Sequence, residues 1–139
     1  MFRISGGIFI FVLSFHLSLM DSGVKTINEW SEAEAILKKR SGPKDVVVLL
    51  LGWTQCSYSQ ATDPNYYTDC TTLYTETTLC LRSFKDSFPA NDSFKMHFPY
   101  PDFNVFPFIV FYKAGIRINN VTTSDPDILK SAFDSANKN

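Results

Sequence analysis

The stretch VVVLLLGWTQCSYSQA, residues 46–61, decides the fold of this 139-residue chain. Its first six residues are apolar and three of them are β-branched, a pattern that predicts a strand buried on both faces in the middle of a parallel sheet. After Gly52 the sequence turns polar, where the strand gives way to a helix start. Cys56 lies on this junction.

The segments on either side of this strand predict a β-α-β-α-β order followed by a hairpin and a helix. The predicted strands are Val24–Ile27, Asp45–Leu51, Thr77–Phe84, Phe94–Phe98 (a weaker pattern), Phe106–Tyr112 and Ile116–Asn119. Asn28 is predicted to cap the first helix, and Ser124 or Asp125 the last. The fold class is therefore α/β, a single domain with a central mixed sheet flanked by helices.

Composition and charge exclude several functional classes. Hydrophobic residues make up 45% of the chain and charged residues 19%, as in ordinary globular proteins. The formal net charge is −1, and no long run of like charge is present. Neither a nucleic acid nor a membrane surface is therefore an expected partner.

The N-terminal segment has the pattern of a signal peptide. Arg3 precedes an apolar stretch, Ile8–Met20, that is shorter than a membrane-spanning helix requires. We expect residues 1–22 to be removed and residues 23–139 to form the domain, and the alternative is an uncleaved signal anchor. The expected location is outside the cell or the lumen of the endoplasmic reticulum, without a membrane attachment once the signal is cleaved. The sequons at Asn91 and Asn120 are then candidate glycosylation sites.

The order of elements and three local motifs resemble the thioredoxin fold over Val24–Ala136. The buried strand that leads through Trp53 into Cys56 resembles the strand before the family's Trp-Cys-Gly-Pro-Cys motif, with Cys56 at the first cysteine and Ser59 at the second. Pro64 stands where the family often bends its second helix. Phe106-Pro107 and the hairpin after it resemble the family's cis-proline strand. An ordinary trans proline at a strand start is the alternative for Pro107.

The Cys-x-x-Ser stretch is also similar to that of the anterior gradient relatives of protein disulfide isomerase. The resemblance implies a helix N-terminus at Cys56, which favours a thiolate there. Ser59 cannot resolve a mixed disulfide, but its hydroxyl is expected to hydrogen-bond the Cys56 sulfur. Leu49–Leu51 stands where the family often has a buried acid, which argues against a dithiol oxidoreductase.

The expected function is therefore that of a monothiol protein which binds or forms mixed disulfides with cysteine-containing clients. Cys56 and Ser59 are the candidate catalytic residues, and glutathione is a candidate external thiol for client release. The candidate client-binding residues are Tyr58, Trp53, Phe106 and Pro107. The alternative is a non-catalytic secreted binding module in which Cys56 has no redox role, and at most a weak enzyme activity is expected.

Two cysteines remain, and in an oxidising compartment three cysteines leave one unpaired or bound to another chain. Cys70 and Cys80 are the favoured disulfide because a ten-residue separation closes easily. A disulfide between Cys56 and Cys70 stays open as the competing pairing. No metal site or cofactor is predicted, because the chain has no Cys-x-x-Cys motif and no histidine pair, and His97 is the one histidine left after cleavage.

Overall fold

The computed structural model describes residues 23–138, so the predicted signal peptide, residues 1–22, and Asn139 lie outside the described residues. The strands are β1 (Val24–Thr26), β2 (Val46–Gly52), β3 (Thr78–Phe84), β4 (Phe108–Lys113) and β5 (Ile116–Val121). The helices are α1 (Trp30–Lys39), α2 (Ser57–Thr72), α3 (Phe94–His97) and α4 (Pro126–Ala136), with a 3-10 turn at Lys85–Ser87.

The five strands form one mixed sheet in the order β1-β3-β2-β4-β5. The strands β1 and β2 run parallel to β3, whereas β4 runs antiparallel to β2, and β5 antiparallel to β4. β2 is central and buried along its whole length, as its unbroken apolar sequence predicts. The predicted mixed sheet flanked by helices is confirmed.

The side chains of β2 alternate between two cores, one on each face of the sheet. Val47, Leu49 and Leu51 pack with α1, α3 and an aromatic cluster. Val46, Val48 and Leu50 pack with α2 and α4. The aromatic cluster consists of Phe94, Phe98, Tyr100, Phe103, Phe106 and Phe108, whose rings contact one another with centroids 5.2 to 6.0 Å apart.

A buried tyrosine ties α2 to the middle of the sheet. The hydroxyl of Tyr66 lies 2.8 Å from the carbonyl oxygen of Leu81 and 3.1 Å from that of Val48, so it bridges β3 and β2. The side chain is fully buried, and this burial raises the pKa of Tyr66 well above its ordinary value. The helix that begins beside Cys56 is thereby held against two strands.

Two predictions about local structure are wrong. Phe94–Phe98 is not a strand, because α3 occupies Phe94–His97. A helical turn places Phe94 and Phe98 on one face, where both are buried in the aromatic cluster, and leaves Lys95 exposed. The cap of α1 is Glu29 rather than Asn28.

The reason for the shifted cap is a carboxylate in the first turn of α1. The side chain of Glu32 accepts hydrogen bonds from the backbone N–H groups of both Asn28 and Glu29, at 2.7 and 3.1 Å. These bonds satisfy two N–H groups near the helix start, as in a capping box. The last helix is capped by Asp125, one of the two predicted residues, whose side chain accepts from the N–H of Asp127 at 2.9 Å.

Candidate functional site

Cys56 is the residue that caps α2, directly after the loop that leaves the end of β2. Its backbone is extended, its N–H donates to the carbonyl of Trp53 at 2.9 Å, and its side chain is half-buried. The thiol lies 3.6 Å from the carbonyl oxygen of Phe106, to which it donates a hydrogen bond. The helix N-terminus predicted at Cys56 is confirmed, and its thiol is free.

The bond between Phe106 and Pro107 is a cis peptide, as the resemblance implied. Pro107 is buried and Phe106 half-buried, and both immediately precede β4. The antiparallel register places Phe108 opposite Leu51, near the end of β2. This register brings Phe106 beside Cys56, although fifty residues separate them in the chain.

Ser59 has a different hydrogen bond from the expected one. Its side chain is only 3% exposed, and its hydroxyl oxygen accepts a hydrogen bond from the backbone N–H of Trp53 at 3.2 Å. The hydroxyl thus binds the motif loop instead of the Cys56 sulfur. The reason is that Ser59 faces inward from the first turn of α2, beneath the loop that connects β2 to the helix. We therefore assign Ser59 a structural contact in the loop.

The motif loop is also held from outside by Asp86, a residue that the sequence did not single out. One carboxylate oxygen of Asp86 accepts from the backbone N–H of Thr54 at 2.9 Å, and the other from its hydroxyl at 2.6 Å. Gln60 donates from its side-chain amide to the carbonyl of Thr54. Burial alone would raise the pKa of Asp86, but the hydrogen bonds from Thr54, the backbone N–H of Asp86 and the nearby charge of Lys85 together lower that pKa. The motif loop is therefore held at Thr54 by Asp86 on one side and by Gln60 of α2 on the other.

Among the candidate client-binding residues, Trp53 and Phe106 contact each other and Tyr58 stands apart on α2. The rings of Trp53 and Phe106 lie 6.0 Å apart, and the ammonium of Lys85 lies 4.3 Å above the Trp53 ring. Tyr58 is 64% exposed in the first turn of the helix. Trp53 and Phe106 thus form a half-buried aromatic surface beside Cys56.

The strand segment in which the family often has a buried acid is apolar, as the sequence indicates. Leu49, Leu50 and Leu51 are each at most 1% exposed and belong to the two cores. In the part of the chain that the structure describes, no carboxylate or imidazole hydrogen-bonds the Cys56 sulfur. Among residues 23–138, therefore, no side-chain base is hydrogen-bonded to the thiol to take or return its proton.

Cys70 and Cys80 form a disulfide, which is the pairing favoured from the sequence, and Cys56 is left as a free thiol. The disulfide joins α2 to β3, and both half-cystines are buried. Asn91 and Asn120 are both exposed. Within residues 23–138, no group of three or more metal-ligating side chains is placed to hold a metal, and no helix is long and apolar enough to cross a membrane.

Comparison with known proteins establishes the fold. No protein-family model matches the chain, and no curated protein matches it by sequence. Similar solved structures include the short form of thioredoxin f from spinach chloroplast, at 20% identity and a TM-score of 0.66 over 84% of this chain and 96% of that one. A chain from the complex of ferredoxin:thioredoxin reductase with thioredoxin f2 matches at 19% identity and a TM-score of 0.68, over 84% and 97%.

The oxidised thioredoxin of Plasmodium falciparum is a third such structure, with 16% identity and a TM-score of 0.63 over 83% of this chain and 99% of that one. All three chains are matched over nearly their full length. This chain therefore has the thioredoxin fold. At these identities the likeness concerns the fold, and the chemistry has to be argued from Cys56 and its surroundings.

Proposed function

We propose that the chain is a secretory-pathway thiol–disulfide exchange protein that captures cysteine-containing client proteins through Cys56. The observation that carries the proposal is a free, half-exposed thiol at the N-terminus of α2, beside the Phe106 carbonyl and an aromatic surface. A helix N-terminus favours negative charge, and a thiolate is the form that attacks disulfides. Of the two motif cysteines in a dithiol protein, this chain has the first, Cys56, and has Ser59 in place of the second.

The exchange replaces one disulfide by another, so it needs no external oxidant. The Cys56 thiolate attacks one sulfur of a client disulfide, a new disulfide forms between Cys56 and the client, and the other client sulfur leaves as a thiolate. Ser59 has no sulfur with which to attack the mixed disulfide, and its hydroxyl is bound to the Trp53 N–H. Release then depends on the client's own freed thiolate, which re-forms the client disulfide, or on an external thiol such as glutathione. In the second case the glutathione sulfur bonds to the client sulfur, the bond to Cys56 breaks, and Cys56 leaves as the thiolate. Because the motif has no second thiol of its own, we expect the captured state to persist longer than it does in a dithiol protein.

Three features support the location. Residues 8–20 are apolar except for Ser14, His16 and Ser18, in the pattern of a signal peptide. The sequon asparagines Asn91 and Asn120 are exposed, and a disulfide is buried in the core. Expression in a eukaryotic secretory system should yield protein that lacks about twenty N-terminal residues. Digestion with an N-glycosidase should lower its mass. Cytosolic protein that retains Met1 would contradict this location.

That one of the similar structures is a complex with ferredoxin:thioredoxin reductase supports a protein, rather than a small molecule, as the partner. The test is the recovery of disulfide-linked adducts from secretory cells that express the chain. Adducts of high mass should appear without reductant, collapse when reductant is added, and disappear in Cys56→Ala. The double variant Cys70→Ala/Cys80→Ala is the matched control and should retain them. Adducts that persist in Cys56→Ala would refute the assignment of Cys56.

A second candidate is a non-catalytic binding module that uses the same surface. It is favoured by the apolar, buried residues 49–51, among which no acid is present, and by the hydrogen bond from the thiol to the Phe106 carbonyl. In that case Cys56 resists alkylation in the folded protein, and partners are recovered equally from wild type and Cys56→Ala. Mass spectrometry of the native protein, alkylated before and after unfolding, separates the two candidates.

A further inference from the structure

Two hollows lie beside the motif loop and share the side chain of Lys85 as a common wall. One, of about 400 Å³, is lined on its apolar side by Phe103 and Phe106, and the other, of about 390 Å³, by Trp53 and Phe88. We call the two together the lysine groove. Each hollow is within the size range of pockets that bind a small ligand or a few side chains.

The lysines and the aspartates of the lysine groove differ in the contacts that they make. Lys85 and Lys95 both line it, and neither has a carboxylate within ion-pair distance among residues 23–138. Both oxygens of Asp86, by contrast, accept hydrogen bonds from the motif loop. One oxygen of Asp92 lies 3.5 Å from a ring nitrogen of His97. The two ammonium groups are thus not ion-paired among the described residues, whereas Thr54 fixes both oxygens of Asp86 in place, although the charge of Lys85 still acts on Asp86.

The groove is continuous with the surroundings of the thiol. The Cys56 sulfur contacts the Phe106 carbonyl, the Phe106 ring lies 6.0 Å from that of Trp53, and the Trp53 ring lies 4.3 Å beneath the Lys85 ammonium. Lys85 and Phe106 also line the same hollow. An extended chain advances about 3.3 Å per residue, so a segment bound to Cys56 reaches Lys85 within roughly two to four residues.

We propose that the lysine groove binds an acidic side chain of the client, located about two to four residues from the client cysteine. Apolar groups of the client segment rest on Trp53 and Phe106, and the carboxylate is placed between Lys85 and Lys95. The preferred substrate class is thus a cysteine in an acidic peptide segment. The proposal rests on the proposed function, because it names the clients of the same site.

Binding can be tested apart from chemistry. The probe is a fluorescent ten-residue peptide with serine in place of its cysteine and two glutamates three residues away, and its matched control has glutamines there. Titrated against Cys56→Ser, the acidic peptide should bind roughly three- to tenfold more tightly at low ionic strength. The preference should fall towards one in 0.5 M salt, because exposed charges are screened at about that concentration.

Reaction is measured with the cysteine forms of the same two peptides, each activated as a mixed disulfide with thionitrobenzoate. The Cys56 thiolate attacks the peptide sulfur, the bond to thionitrobenzoate breaks, and the coloured thiolate is released as the protein–peptide disulfide forms. The acidic peptide should react faster by a factor similar to its binding preference. The mixed disulfide of glutathione with thionitrobenzoate is the comparison with a small anionic thiol. If it reacts with Cys56 faster than the acidic peptide does, the proposal that the groove binds an acidic peptide segment is refuted.

The groove is tested with Lys85→Gln, Lys95→Gln and the double variant, and Lys130→Gln on α4 is the control for the same change of charge elsewhere. Lys95→Gln is informative because the cation–π contact with the Trp53 ring is made by Lys85, so this variant removes a groove charge and leaves that contact in place. Each groove variant should reduce the preference for the acidic peptide, the double variant should abolish it, and Lys130→Gln should retain it.

The outcomes separate this inference from the proposed function. Reaction of both peptides at equal rates would overturn the acidic preference and leave the exchange chemistry intact. Preferential binding of the acidic peptide without any reaction at Cys56 would support the groove and refute the exchange function. An equal loss of preference in Lys130→Gln would show a general effect of net charge and would refute the role of Lys85 and Lys95. Failure of both peptides to bind or react would overturn both.

Discussion

Removal of the disulfide between Cys70 and Cys80 should destabilise the domain without abolishing the chemistry of Cys56. The disulfide spans a sequence separation of 10 residues and connects the middle of the sheet to the helix that begins at the site. Cross-linking stabilises a fold mainly by restricting the unfolded chain, and a loop of this size contributes about 3 kcal/mol. For a domain of this length that corresponds to a fall in Tm of roughly 8–15 °C.

The measurement compares thermal unfolding of the oxidised wild type, the same protein in dithiothreitol, and Cys70→Ala/Cys80→Ala. Reduction should lower the Tm of the wild type by about the expected amount, and the double variant should unfold at a similarly low temperature that dithiothreitol does not change. Cys56→Ala is the control, and its free energy of unfolding should stay within about 0.5 kcal/mol of the wild type because the side chain is only half-buried.

Two results would refute this reasoning. One is a wild-type Tm that reductant leaves unchanged, which would mean that the bridge does not form or does not restrict the unfolded chain. The other is a peptide map that links Cys56 to Cys70, the competing pairing. The second result would also remove the free thiol on which the proposed function depends.

Three further predictions concern single hydroxyl groups. Ser59→Ala should lower the free energy of unfolding, measured in urea, by about 1–2 kcal/mol, because the Trp53 N–H loses its acceptor. Ser59→Cys should reduce insulin faster than the wild type does, because it supplies a resolving thiol. A wild type that reduces insulin as fast as Ser59→Cys would contradict this reasoning. Ser83→Ala should retain or raise the free energy of unfolding by up to about 1 kcal/mol, since the Ser83 hydroxyl is buried without a partner in residues 23–138. The third concerns pH: the pKa of Tyr66 is raised in the fold, so stability is intact below the unfolded value near 10 and declines as the pH rises above it. Tyr66→Phe should make that decline shallower in urea titrations at pH 8 to 11, and an unchanged slope would contradict it.

The fold was predictable from the sequence wherever one strong local pattern decides an element. The run Val46–Leu51 has no polar residue, is only six residues long, and contains three β-branched residues before Gly52, which together favour a strand buried on both faces over a helix. The hairpin after Pro107 and the helix after Asp125 have equally clear turn and cap residues. Phe94–Phe98 was different, because a five-residue segment with two phenylalanines at its ends fits an extended or a helical turn equally well. The tertiary position of the aromatic cluster decides between them.

The sequence predicts the cysteine and the proline of the candidate site, but it does not predict the charged residues around them. Cys56 and Pro107 follow from motifs, since each sits at a fixed place in a recognisable strand or helix start. Asp86 binds Thr54 across 32 residues, and Lys85 reaches Trp53 over the same interval. Both lie just after β3 in a segment without periodicity, and nothing local connects their charges to the motif. Such contacts arise from sheet order, which places the ends of β2 and β3 side by side.

The two tryptophans of the chain stand at different places in its aromatic packing. Trp53 contacts Phe106 beside the thiol, whereas Trp30 packs edge-on against Tyr100 at α1, with ring centroids 5.3 Å apart. Indole emission depends on nearby charge and solvent, so the two rings report on separate regions of the molecule. In Trp30→Phe the remaining tryptophan fluorescence, excited at a wavelength that tyrosine does not absorb, comes from the Trp53 ring beside Lys85. The domain thus carries its own optical probe of the motif loop, which can follow events at Cys56 in real time without an added label.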